Sequence, residues 1–528
     1  MASQIPMAKY KVLKLIPVLF FLTAGGCASL PDNTSRQQSQ AFASPETTSL
    51  GKKYLERAAN HPPGQSGYHL LSDGLDAFVA RAALAQVAEQ SIDSQYYMVH
   101  PDLVGRLYLD QLLKAADRGV RVRFLLDDMD EGDRDFGLAM LDYHPNIAVR
   151  IFNPFGRNTG KTMQFLTGFG KQTRRAHNKS YTIDNIATIL GGRNIGDEYF
   201  DADGTMDFAD LDVLGIGPIA KDVSASFDEY WNHQLSYPIT ALIDKQPVAE
   251  DYQQVRAQLD KYISEQSETA YVKSLRDSEL ANSIRNKSVS YSWANGQVFA
   301  DPPDKLLKDT GDQAYQMWAD LKPHMAKAEN ELIIISPYFV PGKKGVEFLA
   351  SLAEKGVKVS ILTNSLASTD VSIVHAGYAR YRKPLLRAGI KLYELNKKTA
   401  RSSRQAYRKG RIGISETSLH AKTFVVDRKT AFIGSLNLDP RSVVQNTEIG
   451  VVIDSKEVAD LISNGFADNI EKAAFKVALD VDSEGNEHTT WRGLIDGQQR
   501  TLTTEPYTSF WQRFMASFLR LMPIESQI

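Results

Sequence analysis

The chain has 528 residues, 43% of them hydrophobic and 23% charged. That is enough for two or three domains, and the composition excludes wholesale disorder. A formal net charge of −2 excludes a global field that would draw the protein onto nucleic acid or anionic membrane, so any basic site is local. The one cysteine, Cys27, excludes an internal disulfide framework and a cysteine-based zinc cluster.

The first segment reads as a secretory signal. Lys9, Lys11 and Lys14 precede the apolar run Leu15 to Thr23, and the small residues Ala24, Gly25 and Gly26 lead directly to Cys27. The run is too short for a transmembrane helix, which needs about 20 residues. With a cysteine at the cleavage point, residues 1–27 resemble a bacterial lipoprotein signal, although Ala24 stands where leucine is usual. The resemblance implies lipidation at Cys27 and a location in the bacterial cell envelope, facing the periplasm, with inner and outer membrane both open. Residues 28–50 are polar and aperiodic and predict a flexible tether.

From residue 51 the chain alternates strand and helix patterns, and it does so twice. SIDSQYY (91–97) parallels IIISPYF (333–339), which matches Tyr96 to Tyr338. The helical patterns GRLYLDQLLKAADR and GVEFLASLAEK each turn through glycine into a strand, GVRVRFLLDD (119–128) and GVKVSILTNS (356–365). HNKSYTIDNIATILGGRNI (177–195) then aligns without a gap to HAKTFVVDRKTAFIGSLNL (420–438). The expectation is an α/β fold of two similar domains, 51–218 and 298–488, related by a pseudo-twofold with the active site at their interface. A helical connector (219–297) separates them, and an amphipathic tail (489–528) follows.

Each repeat carries H-x-K-x4-D followed by G-[GS]-x-N. In the first copy these are His177, Lys179, Asp184 and Asn194; in the second, His420, Lys422, Asp427 and Asn437. Histidine and lysine two apart on a strand face the same side. Packing has no reason to duplicate such a set, whereas a phosphodiester needs it. Lysines and amides neutralise non-bridging oxygens, one histidine attacks phosphorus, and the other moves the proton of the alcohol. Paired histidines also suit a metal, but lysines two residues away repel a cation, so neither a metal nor another cofactor is expected. Asp184 and Asp427 end strands and are expected to organise structure. Each histidine needs an orienting acid. Counted along its own repeat, Asp210 follows His177, with Asp212 a weaker rival, and Glu448 follows His420.

These motifs resemble those of the phospholipase D superfamily, and within it the C-type bacterial cardiolipin synthases, over roughly residues 70 to 528. The supporting segments include LTNSLASTDVSIVHAGY and GSLNLDPRS. The resemblance implies two phospholipase D-type α/β domains. It also implies transfer of a phosphatidyl group onto phosphatidylglycerol, with phosphatidylethanolamine as donor and His177 as nucleophile. Hydrolysis to phosphatidic acid is the alternative, and nucleic acid is not an expected partner. Arg193, where the second copy has Leu436, is read as a phosphate contact or a solvent-facing residue. Two segments predict contact with a membrane surface. Residues 153–176 hold Arg157, Lys161, Lys171, Arg174 and Arg175 around MQFLTGFG (163–170). Residues 396–411 hold Lys397, Lys398, Arg401, Arg404, Arg408, Lys409 and Arg411. The tail 508–522 predicts a helix with Phe510, Trp511, Phe514, Met515, Phe518, Leu519 and Met522 on one face, and Arg513, Ser517 and Arg520 opposite.

Overall fold

The computed structural model describes residues 30–34, 36–129, 134–157, 164, 173–202, 206–398 and 416–521. The putting together of the two halves begins with their strands. The apolar runs form parallel triplets: Ser91–Tyr96, Arg121–Asp127 and Ile147–Phe152 in the first half, and Glu331–Ile335, Lys358–Thr363 and Lys391–Leu395 in the second. Helices cross between the first two strands of each triplet, Leu103–Asp117 and Gly342–Glu354. Each return to the sheet passes a glycine in the left-handed region, Gly119 (φ 95°) and Gly356 (φ 92°), which is the conformation that only glycine adopts without strain.

The motif strands extend both sheets in the antiparallel sense. Ser180–Ile183 pairs with Ser91–Tyr96, and Thr423–Val426 pairs with Glu331–Ile335. Beyond them lie Ala187–Gly191 and Asp212–Ile216 in one half, and Thr430–Gly434 and Ile449–Asp454 in the other. The sheets are therefore mixed, with helices on their outer faces. An inner apolar layer joins them, in which Leu190, Leu211 and Val213 of the first half pack with Ile433, Val451 and Ile453 of the second. This is the expected pair of similar α/β domains.

The strand Ser292–Ala300 fixes the two halves to each other. Its residues Ser292 to Ala294 pair with Ser66–Leu71 of the first sheet, and Asn295 to Ala300 pair with Ile449–Asp454 of the second. The second sheet thus begins upstream of Val298, and the boundary drawn at 488/489 falls inside the strand Glu487–Ile495. The start of the connector, Pro218–Asn232, is a helix packed into the first half through Val223 and Phe227; the rest contributes Ala249–Gln266, Ala270–Arg276 and Glu279–Arg285.

Two expectations are corrected here. First, the described part of residues 28–50 is not a free tether. Arg123 donates to the Ser39 carbonyl (3.0 Å) and Arg121 to that of Gln40 (2.8 Å), Arg150 donates to that of Gln37, and Ala41 N donates to Asp228 (2.8 Å). A mostly polar segment still docks when arginines projecting from inner strands need backbone acceptors, and Leu30 and Leu50 at its ends pack against the core. Second, the repeat register at the first strand shifts by two. Asp184 N bonds Ser91 O and Asp427 N bonds Glu331 O, so Tyr96 matches Ser336 rather than Tyr338. Residues 1–29, including Cys27, lie outside the described residues.

Candidate active site

The two half-sites are assembled by short parallel pairings between the repeats. Glu416–Leu419 pairs with Met206–Ala209 in register, Leu419 opposite Ala209. In the other half Ala176 bridges Thr447. One residue further along each pairing, His420 lies beside Asp210 and His177 beside Glu448. The contacts are His420 Nδ1–Asp210 Oδ2 at 2.6 Å and His177 Nδ1–Glu448 Oε2 at 2.8 Å. The orienting acids are therefore exchanged between the halves. Counting along one repeat assigned them to the wrong histidines, because in parallel pairing the neighbour comes from the other repeat. Asp212, the weaker rival, instead forms a buried ion pair with Arg81 at 2.8 Å.

With Nδ1 committed to a carboxylate, each imidazole keeps Nε2 for substrate. Lys179 and Lys422 are buried, and each donates to the carbonyl of the histidine two residues before it. Tyr97 meets His177 edge-on at 5.0 Å and lies 5.3 Å from the Lys179 ammonium. Tyr199 and Phe208 lie 5.2 and 5.1 Å from His420. Sequence reasoning missed Tyr199 and Phe208; Tyr97 was visible as the second aromatic of SIDSQYY.

Asn194 was expected to offer its amide to an oxyanion, but Nδ2 is given to the Tyr199 hydroxyl at 2.9 Å. The Oδ1 atoms of Asn194 and Asn437 are buried with no protein partner. Arg193 is neither a phosphate contact nor exposed. It is buried, and its guanidinium serves the carbonyls of Leu71 (2.8 Å), Ser72, Tyr199 and Asp210 (2.9 Å). Asp184 accepts from the backbone N–H groups of Glu89, Gln90 and Ser91, and Asp427 from those of Glu329, Asn330 and Glu331. In each repeat the aspartate of the motif thus ties down the turn entering the central strand.

The half-sites differ electrically. Burial, then the Lys179 and Lys422 ammonium groups, push the His177 imidazole well below its usual range. Burial and Lys422 also lower His420, but the Asp210 carboxylate pulls it back up. Burial favours neutral Asp210, yet His420, Lys422 and Arg193 outweigh it and hold the carboxyl well below the usual range. Glu448 goes the other way: burial raises it to about 7, against Lys179 and a 2.5 Å hydrogen bond from Ser435. Lys179 and Lys422 are lowered by burial to about 7 and about 8.

The basic segments are partly corrected. Arg157 pairs with Asp135 (2.6 Å) and Asp128 (2.5 Å), Arg175 is buried against Asp127, and Arg174 donates to the Leu306 carbonyl. These three are occupied within the protein. Lys398 lies over the Tyr507 ring. Lys161, Lys171, Arg401, Arg404, Arg408, Lys409, Arg411 and most of 163–170 lie outside the described residues. Among the described residues, His100, Asp102 and Glu198 are close enough to share a cation. Asp102 already accepts from Gly105 N and Asp197 N, and none of the three belongs to either half-site.

Two His–Lys–acid sets on one inter-domain seam, with both lysines and both acids buried, define an enzyme that works on phosphodiesters. A family model described as "Cardiolipin synthase, PLD-like domain" matches residues 82–231 and again 321–470. Over 477 residues the chain is 41% identical to cardiolipin synthase C of Escherichia coli, covering 90% of this chain and 99% of that protein. A cardiolipin synthase of Oceanobacillus iheyensis is 24% identical over 411 residues, 77% of this chain and 69% of the relative. Among solved structures, phosphatidylserine synthase of Haemophilus influenzae matches the fold with a TM-score of 0.55 at 12% identity, covering 90% of this chain and 99% of that one. The chain belongs to the phospholipase D-like family of cardiolipin synthases.

Proposed function

We propose that the protein is a phosphatidyltransferase that moves a phosphatidyl group onto the hydroxyl of phosphatidylglycerol, forming cardiolipin. The observation that carries this is the crossed pair of histidine–carboxylate contacts beside two buried lysines, within a family of cardiolipin synthases.

The electrical asymmetry favours His177 as nucleophile. Its imidazole is the more strongly held neutral, which leaves a lone pair on Nε2 for attack. His420, supported by ionised Asp210, is the better proton carrier. In the first step Nε2 of His177 bonds to phosphorus, the P–O bond to the headgroup alcohol breaks, and His420 gives its proton to the departing oxygen. In the second step His420 takes the proton of the acceptor hydroxyl, whose oxygen bonds to phosphorus as the P–N bond breaks. Lys179 and Lys422 offset charge on the non-bridging oxygens in both steps. An anionic phosphodiester beside these lysines opposes the effect of burial and favours their charged forms.

The test supplies vesicles of phosphatidylglycerol, with and without phosphatidylethanolamine, and reads products by mass spectrometry. A diphosphatidyl lipid is expected; phosphatidic acid as the sole product assigns hydrolysis instead. An alkaline quench, which spares the acid-labile P–N bond, and peptide mapping should place phosphorus on His177, and His420→Asn should slow turnover roughly 10²–10⁴-fold.

The substrate reading extends to a membrane surface and an envelope location. The C-terminal helix Phe510–Leu519 supports the first, with Phe510, Trp511, Phe514, Met515 and Phe518 between 48% and 69% exposed. The Cys27 signal supports the second. Cys27→Ser should release the protein from washed membranes.

A further inference from the structure

The segment 364–371, between the strand Lys358–Thr363 and the helix Ser372–Ala379, is fastened to the catalytic strand. Asn364 Nδ2 donates to Leu419 O at 3.0 Å, and Leu419 N donates to Asn364 Oδ1 at 2.9 Å. Both bonds fall on the residue before His420. Ser365 N donates to Ser368 Oγ (2.9 Å), Ser368 N to Ser365 Oγ (3.2 Å) and Thr369 N to Ser365 O (3.0 Å), which makes a compact turn. That turn delivers Asp370.

Tyr338 reaches the same place from the adjacent strand exit. Ser336 Oγ donates to Tyr338 O at 2.7 Å and accepts from Leu438 N at 3.1 Å, which ties this exit to the residue after Asn437. The Tyr338 hydroxyl donates to Asp370 Oδ2 at 2.6 Å. Burial and the Asp370 charge push that phenol well above its usual range, so it stays a donor. Asp370 is exposed, and its charge is felt by Lys422 and by the buried Tyr199 that contacts His420. Ligands in open α/β sheets bind at the carboxyl ends of the strands, and Tyr338 and Asp370 both follow such ends.

A carboxylate at this position cannot hold the phosphate, because the like charges repel. Two lysines already serve the phosphate. Asp370 instead suits a cation carried a short linker away from it. Hydroxyl groups alone are served by a neutral acceptor, so an ionised one discriminates in favour of an ammonium.

We propose that Asp370, held by Tyr338, is a specificity-determining residue that binds the ammonium of an amino-alcohol headgroup on the phosphatidyl donor. This rests on the transferase reading above. The lipid is then gripped at both ends of its zwitterion, phosphate at Lys179 and Lys422, ammonium at Asp370.

The test compares wild type with Asp370→Asn, which keeps the volume and the Tyr338 contact and removes the charge. Vesicles containing equal phosphatidylethanolamine and phosphatidylglycerol are supplied, and free ethanolamine and free glycerol are measured separately. Ethanolamine release is expected to fall about ten-fold, and glycerol release less than about two-fold. A parallel fall in both, or no change in their ratio, overturns the proposal. Calorimetric binding of glycerophosphoethanolamine and glycerophosphoglycerol reads the same preference without turnover. If wild type releases neither headgroup yet binds the ammonium diester more tightly, and Asp370→Asn abolishes that preference, this inference stands and the transferase reading fails. If the diesters bind alike in both proteins, this inference fails.

Discussion

Asp184 and Asp427 have φ of +51° each, and each carboxylate is the shared acceptor for three successive backbone N–H groups. Removing it leaves those donors without their partner, so Asp184→Ala should cost about 2–4 kcal/mol in denaturant-monitored stability. The folded fraction should keep kcat/KM within a few-fold. The lysines behave in the opposite way. Lys179 is lowered to about 7 when folded and titrates near its ordinary value of about 10.4 when unfolded. Between those pH values the unfolded chain binds more protons, so this lysine's burden on stability is greatest at about pH 7 and below and fades as pH rises toward 10. Lys179→Met should therefore raise Tm while abolishing turnover, and the gain measured by calorimetry should be larger at pH 7 than at pH 10. These residues were legible in the sequence because identical chemistry recurs at identical spacing. Asp370 was not, since its role comes from a turn bonded to a strand distant in sequence, and no spacing reports that.

At the scale of elements, the two G-[GS]-x-N turns are matched in sequence but not in packing. A Cβ added at Gly192 would lie 2.3 Å from Asp210 Oδ1, whereas Ser435 donates to the longer Glu448. Gly192→Ser should displace Asp210 from His420 and lower kcat about ten-fold or more. Ser435→Gly should instead cost about 1–3 kcal/mol of stability by depriving a buried carboxylate of its donor. The C-terminal helix, expected over 508–522, forms over Phe510–Leu519, and Met522 lies outside the described residues. A capping box at Ser509 and Gln512 starts the helix, and Phe510, Trp511 and Phe514 are exposed, in keeping with the expected apolar face. It lies against Ser372–Ala379, the helix that follows Asp370 directly. Trp511→Ser with Phe514→Ser should weaken sedimentation with anionic vesicles about ten-fold or more, with Tm shifted by less than about 1 °C, because both side chains are exposed. The N-terminal arm shows the converse. Composition predicted a tether, but the arginines that recruit it lie on strands far along the chain.

For the whole molecule, the repeat predicted two like domains, and the family match to 82–231 and 321–470 follows the same duplication. What the repeat concealed is that neither half owns a complete catalytic unit. Each histidine takes its carboxylate from the other half, so a substitution at Glu448 acts on His177, and one at Asp210 on His420. Glu448→Gln should depress the step that needs His177, read as loss of trapped phosphoenzyme. Asp210→Asn should slow phosphoenzyme turnover and shift the acidic limb of the pH–rate profile, since His420 loses the charge that supports its protonated form.

The strand Ser292–Ala300 belongs to both sheets at once. A backbone ladder shared in this way couples the halves along its length and resists a jaw-like opening between them. The crossed histidine–carboxylate contacts span the same seam, so the placement of the two half-sites is tied to the backbone that joins the sheets. That makes the enzyme a fixed die, its two half-sites cast in one piece by a strand common to both sheets.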